Sequence, residues 1–92
     1  MIQQTSLEAY KAIIPELSDR QQEVFNVLVE HPGFSNRDVL YYLRTMNPKR
    51  KYEASGVYPR ITELREKGIV DFHSYKKDLL TNKRVMTWEV VR

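Results

Sequence analysis

Residues 57–70 have the sequence VYPRITELREKGIV, which contains the end of one element and the start of another. Val57, Ile61 and Leu64 recur at i, i+4 and i+7, so they share one face of a helix. Gly68 lies at the position where a residue in the left-handed conformation commonly ends a helix. After Gly68, the spacing of apolar residues changes from every 3.6 residues to every second residue, as in a strand. The stretch therefore predicts a helix followed directly by a strand, at about 55–67 and 69–75.

A second strand is predicted at the carboxyl end of the chain. Over about 84–91, Met86, Trp88 and Val90 occupy every second position, which is the spacing of one face of a strand. The run is also rich in β-branched and aromatic residues. The segment between the two strands is polar and contains a turn signal at Thr81 and Asn82. We predict an antiparallel hairpin whose long tip, 76–84, carries the basic residues Lys76, Lys77, Lys83 and Arg84.

Helix-start signals lie upstream of this region. Ser18 with Gln21 forms a capping-box pattern, and Ser35 with Asp38 is a second one. Proline is tolerated only in the first helical turn, so Pro59 favours a start of the last helix nearer 56 or 57. The predicted fold class is mainly α with a small antiparallel β-hairpin, with helices at about 6–14, 18–31, 35–45 and 55–67 and strands at about 69–75 and 84–91.

Length and composition set the class of protein. Ninety-two residues are enough for one domain, spanning residues 1–92, and 41% hydrophobic with 29% charged residues is typical of a globular chain. No run approaches the ~18 apolar residues of a membrane span, and no apolar signal-peptide core follows the first residue. Cysteine is absent, which excludes disulfides and thiolate metal sites and fits a cytoplasmic location.

Charge is divided unevenly along the chain. Residues 1–46 hold four basic and six acidic groups, a net of −2, whereas residues 47–92 hold eleven basic and six acidic groups, a net of +5. The two values sum to the +3 of the whole chain. A basic face of this kind is the electrostatic footprint of a protein that binds a polyanion, although lysine and arginine also simply solvate surfaces.

The sequence resembles the winged helix-turn-helix superfamily of DNA-binding domains, in its small bacterial or phage-type form. Three features carry the resemblance: two short consecutive helices, the stretch 57–70 and the basic hairpin. In that family the last helix commonly ends in a leucine, charged residues, a glycine and two aliphatic residues, and 64–70 match this pattern. The resemblance covers about 17–92, with 1–16 supplying an extra helix. The connection between the two helices is longer here than in the family, which is tolerated thermodynamically.

This resemblance implies binding to double-stranded DNA, with the helix at 55–67 in the major groove and the hairpin on phosphates. A helix fits the major groove, where base edges present a distinct hydrogen-bonding pattern. The predicted base or phosphate contacts of this helix are Ser55, Tyr58, Arg60 and Thr62. The predicted phosphate contacts elsewhere are Lys49, Arg50, Lys51, Lys76, Lys77, Lys83 and Arg84.

Each assignment has a structural alternative. Arg60 could only solvate the helix surface, Tyr58 could pack against the connector at 49–52, and Trp88 is expected to be core packing rather than a stacking platform. No enzymatic activity, metal or cofactor is expected, because His31 and His73 lie in different elements and no phosphate-binding glycine loop is present.

The sequence therefore predicts one of two functions. The first is DNA binding in transcription regulation or phage-type replication control. The second is a protein–protein interaction module, in which the helix at 6–14 packs in a partner groove or forms a homodimer. The same helix could instead cap the core of its own domain.

Overall fold

The computed structural model describes residues 16–91, which form three helices and a two-stranded antiparallel sheet. This confirms the predicted fold class. The helix predicted at 6–14 lies outside the described residues. The elements are α1 (Asp19–Glu30), α2 (Asn36–Met46), α3 (Ala54–Glu66), β1 (Val70–Lys77) and β2 (Arg84–Val90).

Local side-chain chemistry starts the first two helices, as predicted. The Ser18 hydroxyl accepts a hydrogen bond from the backbone N–H of Gln21, whose side chain accepts one from the backbone N–H of Ser18. Ser35 and Asp38 make the same reciprocal pair at the start of α2. Each box satisfies two backbone groups that a helix start would otherwise leave unpaired.

The start of α3 differs from the expectation drawn from Pro59. The helix begins at Ala54, so Pro59 lies in its second turn rather than in its first. A proline there removes one intrahelical bond, to the carbonyl of Ser55. Ser55 is exposed, and water can take the place of that partner. At the other end, Gly68 adopts φ +78°, the left-handed conformation predicted for it.

The turn of the hairpin is shorter than the sequence predicted. β1 continues two residues beyond its predicted end, because Lys76 and Lys77 pair with Val85 and Arg84 of β2. The turn is therefore residues 78–83, and three of the four predicted tip cations belong to strands: Lys76 and Lys77 to β1 and Arg84 to β2. A β-bulge or similar irregularity between Phe72 and Ser74 shifts the register of the two strands.

One β-bridge was not predicted. Phe34, in the segment between α1 and α2, pairs with Trp88 of β2 through two backbone hydrogen bonds: Trp88 N–H donates to the Phe34 carbonyl, and Gly33 N–H donates to the Trp88 carbonyl. The bridge fastens the hairpin to the start of α2. Three helices, a bridge and a hairpin in this order are compatible with the winged helix that the sequence resembles.

The core lies between the three helices and the inner face of β2. Phe25 and Leu28 of α1 and Ile61 and Leu64 of α3 are among its largest fully buried side chains. Burial of such side chains contributes about 1.5–3 kcal/mol each. Trp88 is only 7% exposed, so its assignment to core packing is confirmed.

Candidate nucleic-acid interface

The buried face of α3 determines which of its side chains are available for binding. Val57, Ile61 and Leu64 point into the core, as their spacing predicts. The opposite, exposed face carries Ser55 and Thr62. Both are residues that the sequence assigned to DNA, and both are accessible in the structure.

The flank of α3 that faces the hairpin carries two more polar side chains. Tyr58 is half-buried and lines a groove shared with the hairpin. Arg65, two turns further along, places its guanidinium carbon 5.0 Å from the centre of the Trp88 ring. Arg65 was not predicted as a site residue, although its spacing from Tyr58 and Thr62, i, i+4 and i+7, indicates a single helical stripe.

Arg60 lies on the other flank of α3, which faces α1. Its Nη2 donates to a Glu63 carboxylate oxygen at 2.7 Å, and the other oxygen accepts a hydrogen bond from the Gln21 amide of α1, also at 2.7 Å. The Gln21 hydrogen bond, more than Arg60, holds the pKa of Glu63 below its ordinary value, while burial opposes this shift. Arg60 is therefore paired with a carboxylate of its own helix, which in turn binds α1, and Arg60 does not share the stripe of Tyr58.

A groove of about 430 Å³ separates the amino end of α2 from the hairpin. We call it the cationic groove, since its lining includes Arg37 of α2 and Lys83 and Arg84 of the hairpin. Its single acidic lining residue, Asp78, is buried and forms an ion pair with Arg37 at 3.4 Å. The groove thus carries a net positive charge beside Tyr58.

The remaining hairpin cations differ in their availability. Lys76 forms an ion pair with Asp38 of α2. Burial raises the pKa of Asp38, but the Lys76 ammonium and the hydrogen bonds from Ser35 outweigh it, so the pKa lies below the ordinary 3.8. Lys77 is exposed and makes no ion pair within residues 16–91. Lys83 is likewise exposed and without an acidic partner there, so both ammonium groups can meet phosphates.

The basic connector between α2 and α3 lies against α1. Arg50 forms an ion pair with Glu23, which raises the pKa of Arg50, and its guanidinium lies 5.1 Å from the centre of the Tyr52 ring. Tyr52 is itself only 2% exposed and anchors the connector in the core. Lys49 and Lys51 are exposed. The predicted connector cations are thus positioned apart from the cationic groove.

No protein-family model matches the chain, and no curated protein is significantly similar to it. None of the helices within residues 16–91 is long and apolar enough to cross a membrane. In the same part of the chain, no three His, Asp or Glu side chains are grouped as a metal site would require.

Proposed function

We propose that this protein is a winged helix-turn-helix module that binds double-stranded DNA, with α3 in the major groove and the hairpin on neighbouring phosphates. One observation carries the proposal: the polar stripe of α3, formed by Tyr58, Thr62 and Arg65, adjoins the cationic groove. The stripe offers hydrogen-bonding groups to base edges, and the groove offers charge to the phosphates beside them. Control of transcription or of phage-type replication is the setting we propose for this binding.

Within the stripe, Arg65 is the strongest candidate for base contact. A guanidinium is suited to bidentate hydrogen bonding with guanine, and each such pair discriminates by about 1–3 kcal/mol. Arg65 has no acidic partner within residues 16–91, whereas Arg60 is bound to Glu63. Arg60 remains a predicted DNA contact, but it must first leave Glu63 to make one.

The hairpin and connector supply the sequence-independent part of the proposed binding. Lysine and arginine side chains that neutralise phosphates release counterions, so affinity falls as salt rises. About four to six phosphates contacted in this way give a slope of log affinity against log salt near −4 to −5. We expect fluorescence anisotropy to show this slope on random-sequence duplex DNA between about 50 and 300 mM salt. An absence of duplex binding at the lowest salt would contradict the proposal.

Base contacts and phosphate contacts can be separated by substitution. After selection of preferred sites from a randomised duplex library, Arg65→Ala should lose about 5- to 150-fold on the selected site and less on random duplex. Lys83→Ala should weaken both duplexes equally and reduce the salt slope by about 1. Lys67→Ala removes the same charge from the flank of α3 that faces α1 and serves as the matched control. Equal losses on both duplexes for Arg65→Ala would show that Arg65 does not contact bases.

Protein docking is the second candidate function. A groove of about 460 Å³ between α2 and the hairpin is lined mainly by apolar surface, to which Leu40 and Tyr41 contribute. The helix predicted at 6–14 as a partner site lies outside the described residues. Reversal of charge at Lys83 and Arg84 distinguishes the two candidates, because it should abolish DNA binding and leave a partner on this apolar groove in place.

A further inference from the structure

The hairpin turn presents two adjacent leucines to solvent. Leu79 is 93% exposed and Leu80 is 77% exposed. Turns are usually built from glycine, proline, asparagine, aspartate and serine, and two leucines are not needed to form one. Their exposure makes both side chains available to a partner.

Hydrogen bonds within the turn fix its conformation, and this conformation exposes the two leucines. The Asp78 carboxylate accepts hydrogen bonds from the Thr81 backbone N–H at 3.0 Å and the Thr81 hydroxyl at 2.9 Å. The backbone of Asp78 is paired with that of Lys83 at 2.8 Å and Asn82 at 2.7 Å. Asn82 adopts φ +62°, which asparagine tolerates better than most residues. The leucines therefore project from a turn that is held by its own hydrogen bonds.

Positive charge lies on both sides of this tip. Lys77 precedes the leucines, and Lys83 and Arg84 follow them, whereas Lys76 is paired with Asp38 of α2. The single acidic residue of the segment, Asp78, is buried and paired with Arg37. The tip thus has an apolar centre and cationic sides.

A duplex groove has the complementary pattern, because anionic phosphates form its two edges and the apolar base stack lies between them. The minor groove is about 6 Å wide and admits a narrow element. Proteins that bind there frequently insert leucine or a similar side chain between base steps, which unstacks the step and bends the duplex. The turn lies between two grooves, because Thr81 and Lys83 line the cationic groove and the leucines line the apolar groove beside Tyr41.

We propose that Leu79 and Leu80 form a wedge that enters the minor groove, partly unstacks one base step and bends the DNA. This inference rests on the proposed binding of duplex DNA and adds a deformation of the DNA to it. Charge complementarity favours DNA over a protein partner, because the cations flank the leucines on both sides.

The test compares the wild-type protein with the double variant Leu79→Ser/Leu80→Ser. Met46→Ser is the matched control, since Met46 is a 59% exposed apolar side chain on α2. The probes are end-labelled duplexes of about 30 base pairs, one fully paired and one with a single central mismatch. Anisotropy measures affinity, and energy transfer between the two ends measures bending. Thermal unfolding of each variant checks that the fold is unchanged.

The wild-type protein and Met46→Ser should bend the duplex and bind the mismatched probe about tenfold more tightly, because a mismatch removes part of the unstacking cost. The double variant should keep binding and its salt slope on the paired duplex but lose both the bend and the mismatch preference. Equal bending by the double variant would overturn the wedge. If the wild-type protein bound no duplex at all, the proposed function would fail together with the wedge.

Discussion

The hydrogen bond between Trp88 and Asn36 provides the sharpest test of how the hairpin is held on the helices. The Trp88 indole N–H donates to the Asn36 side-chain oxygen at 2.7 Å, joining β2 to the first turn of α2. Trp88 also lies under the Arg65 guanidinium and forms the bridge with Phe34. We predict that Asn36→Ala loosens this junction, because it leaves the indole N–H of a nearly buried ring without a partner.

The size of the effect follows from the groups involved. Loss of a hydrogen bond that leaves a buried donor unsatisfied costs about 1–3 kcal/mol. The higher helix propensity of alanine recovers at most about 0.5 kcal/mol at Asn36, which is the first residue of α2. We therefore expect the free energy of unfolding to fall by about 0.5–3 kcal/mol, with the thermal midpoint lowered by about 4–8 °C per kcal/mol.

Asn36→Asp is the matched control. A carboxylate keeps the acceptor for the indole and adds negative charge near the amino end of α2, which is favourable by about 0.3–1 kcal/mol. Urea unfolding followed by fluorescence measures both variants directly, because Trp88 is the single tryptophan of the chain. A value for Asn36→Ala within about 0.5 kcal/mol of the wild type, or equal destabilisation by Asn36→Asp, would contradict this role of the hydrogen bond.

Three further changes test the scaffold. Gly68→Ala should cost about 1–2 kcal/mol in thermal unfolding because of its positive φ alone, since no atom lies within 4 Å of the added carbon; a neutral result would contradict this. Because the folded-state pKa of Asp38 is lowered, its ion pair with Lys76 stabilises above pH 3.8 and loses this effect as pH falls through the folded pKa. The stability difference between wild type and Asp38→Asn should shrink over that interval, and a constant difference would refute the assignment. Leu64→Ala should cost about 2–5 kcal/mol in urea unfolding, against about 0.5 kcal/mol or less for Lys67→Ala; similar losses would contradict the burial argument.

Features that depend on neighbours in the chain could be predicted from the sequence. The capping boxes at Ser18 and Ser35 and the helix end at Gly68 each require only a few consecutive residues, and all three are present. The spacing of the apolar residues also predicted the buried face of α3. These signals were sufficient for the fold class because the helices and the hairpin are short and separated by clear turn residues.

Features that depend on packing between distant elements were missed. The bridge between Phe34 and Trp88 joins residues far apart in sequence, and a single bridging residue has no alternating pattern to reveal it. Arg60 and Glu63 are three residues apart on one helix, but the hydrogen bond from Gln21 that holds Glu63 requires knowledge of which flank of α3 meets α1. Arg65 is different, because its helical spacing from Tyr58 was present in the sequence and could have identified it.

The acidic partners supplied by the fold also change what the positive charge can do. Three of the eight cations predicted to contact DNA have acidic partners in the structure: Arg50, Arg60 and Lys76. The other five have none within residues 16–91: Lys49, Lys51, Lys77, Lys83 and Arg84. At about −0.9 per phosphate, five contacts give a salt slope near −4.5, whereas all eight would give about −7. A slope near −7 would therefore mean that these ion pairs open on DNA binding, and a slope near −4.5 would mean that they persist in the complex.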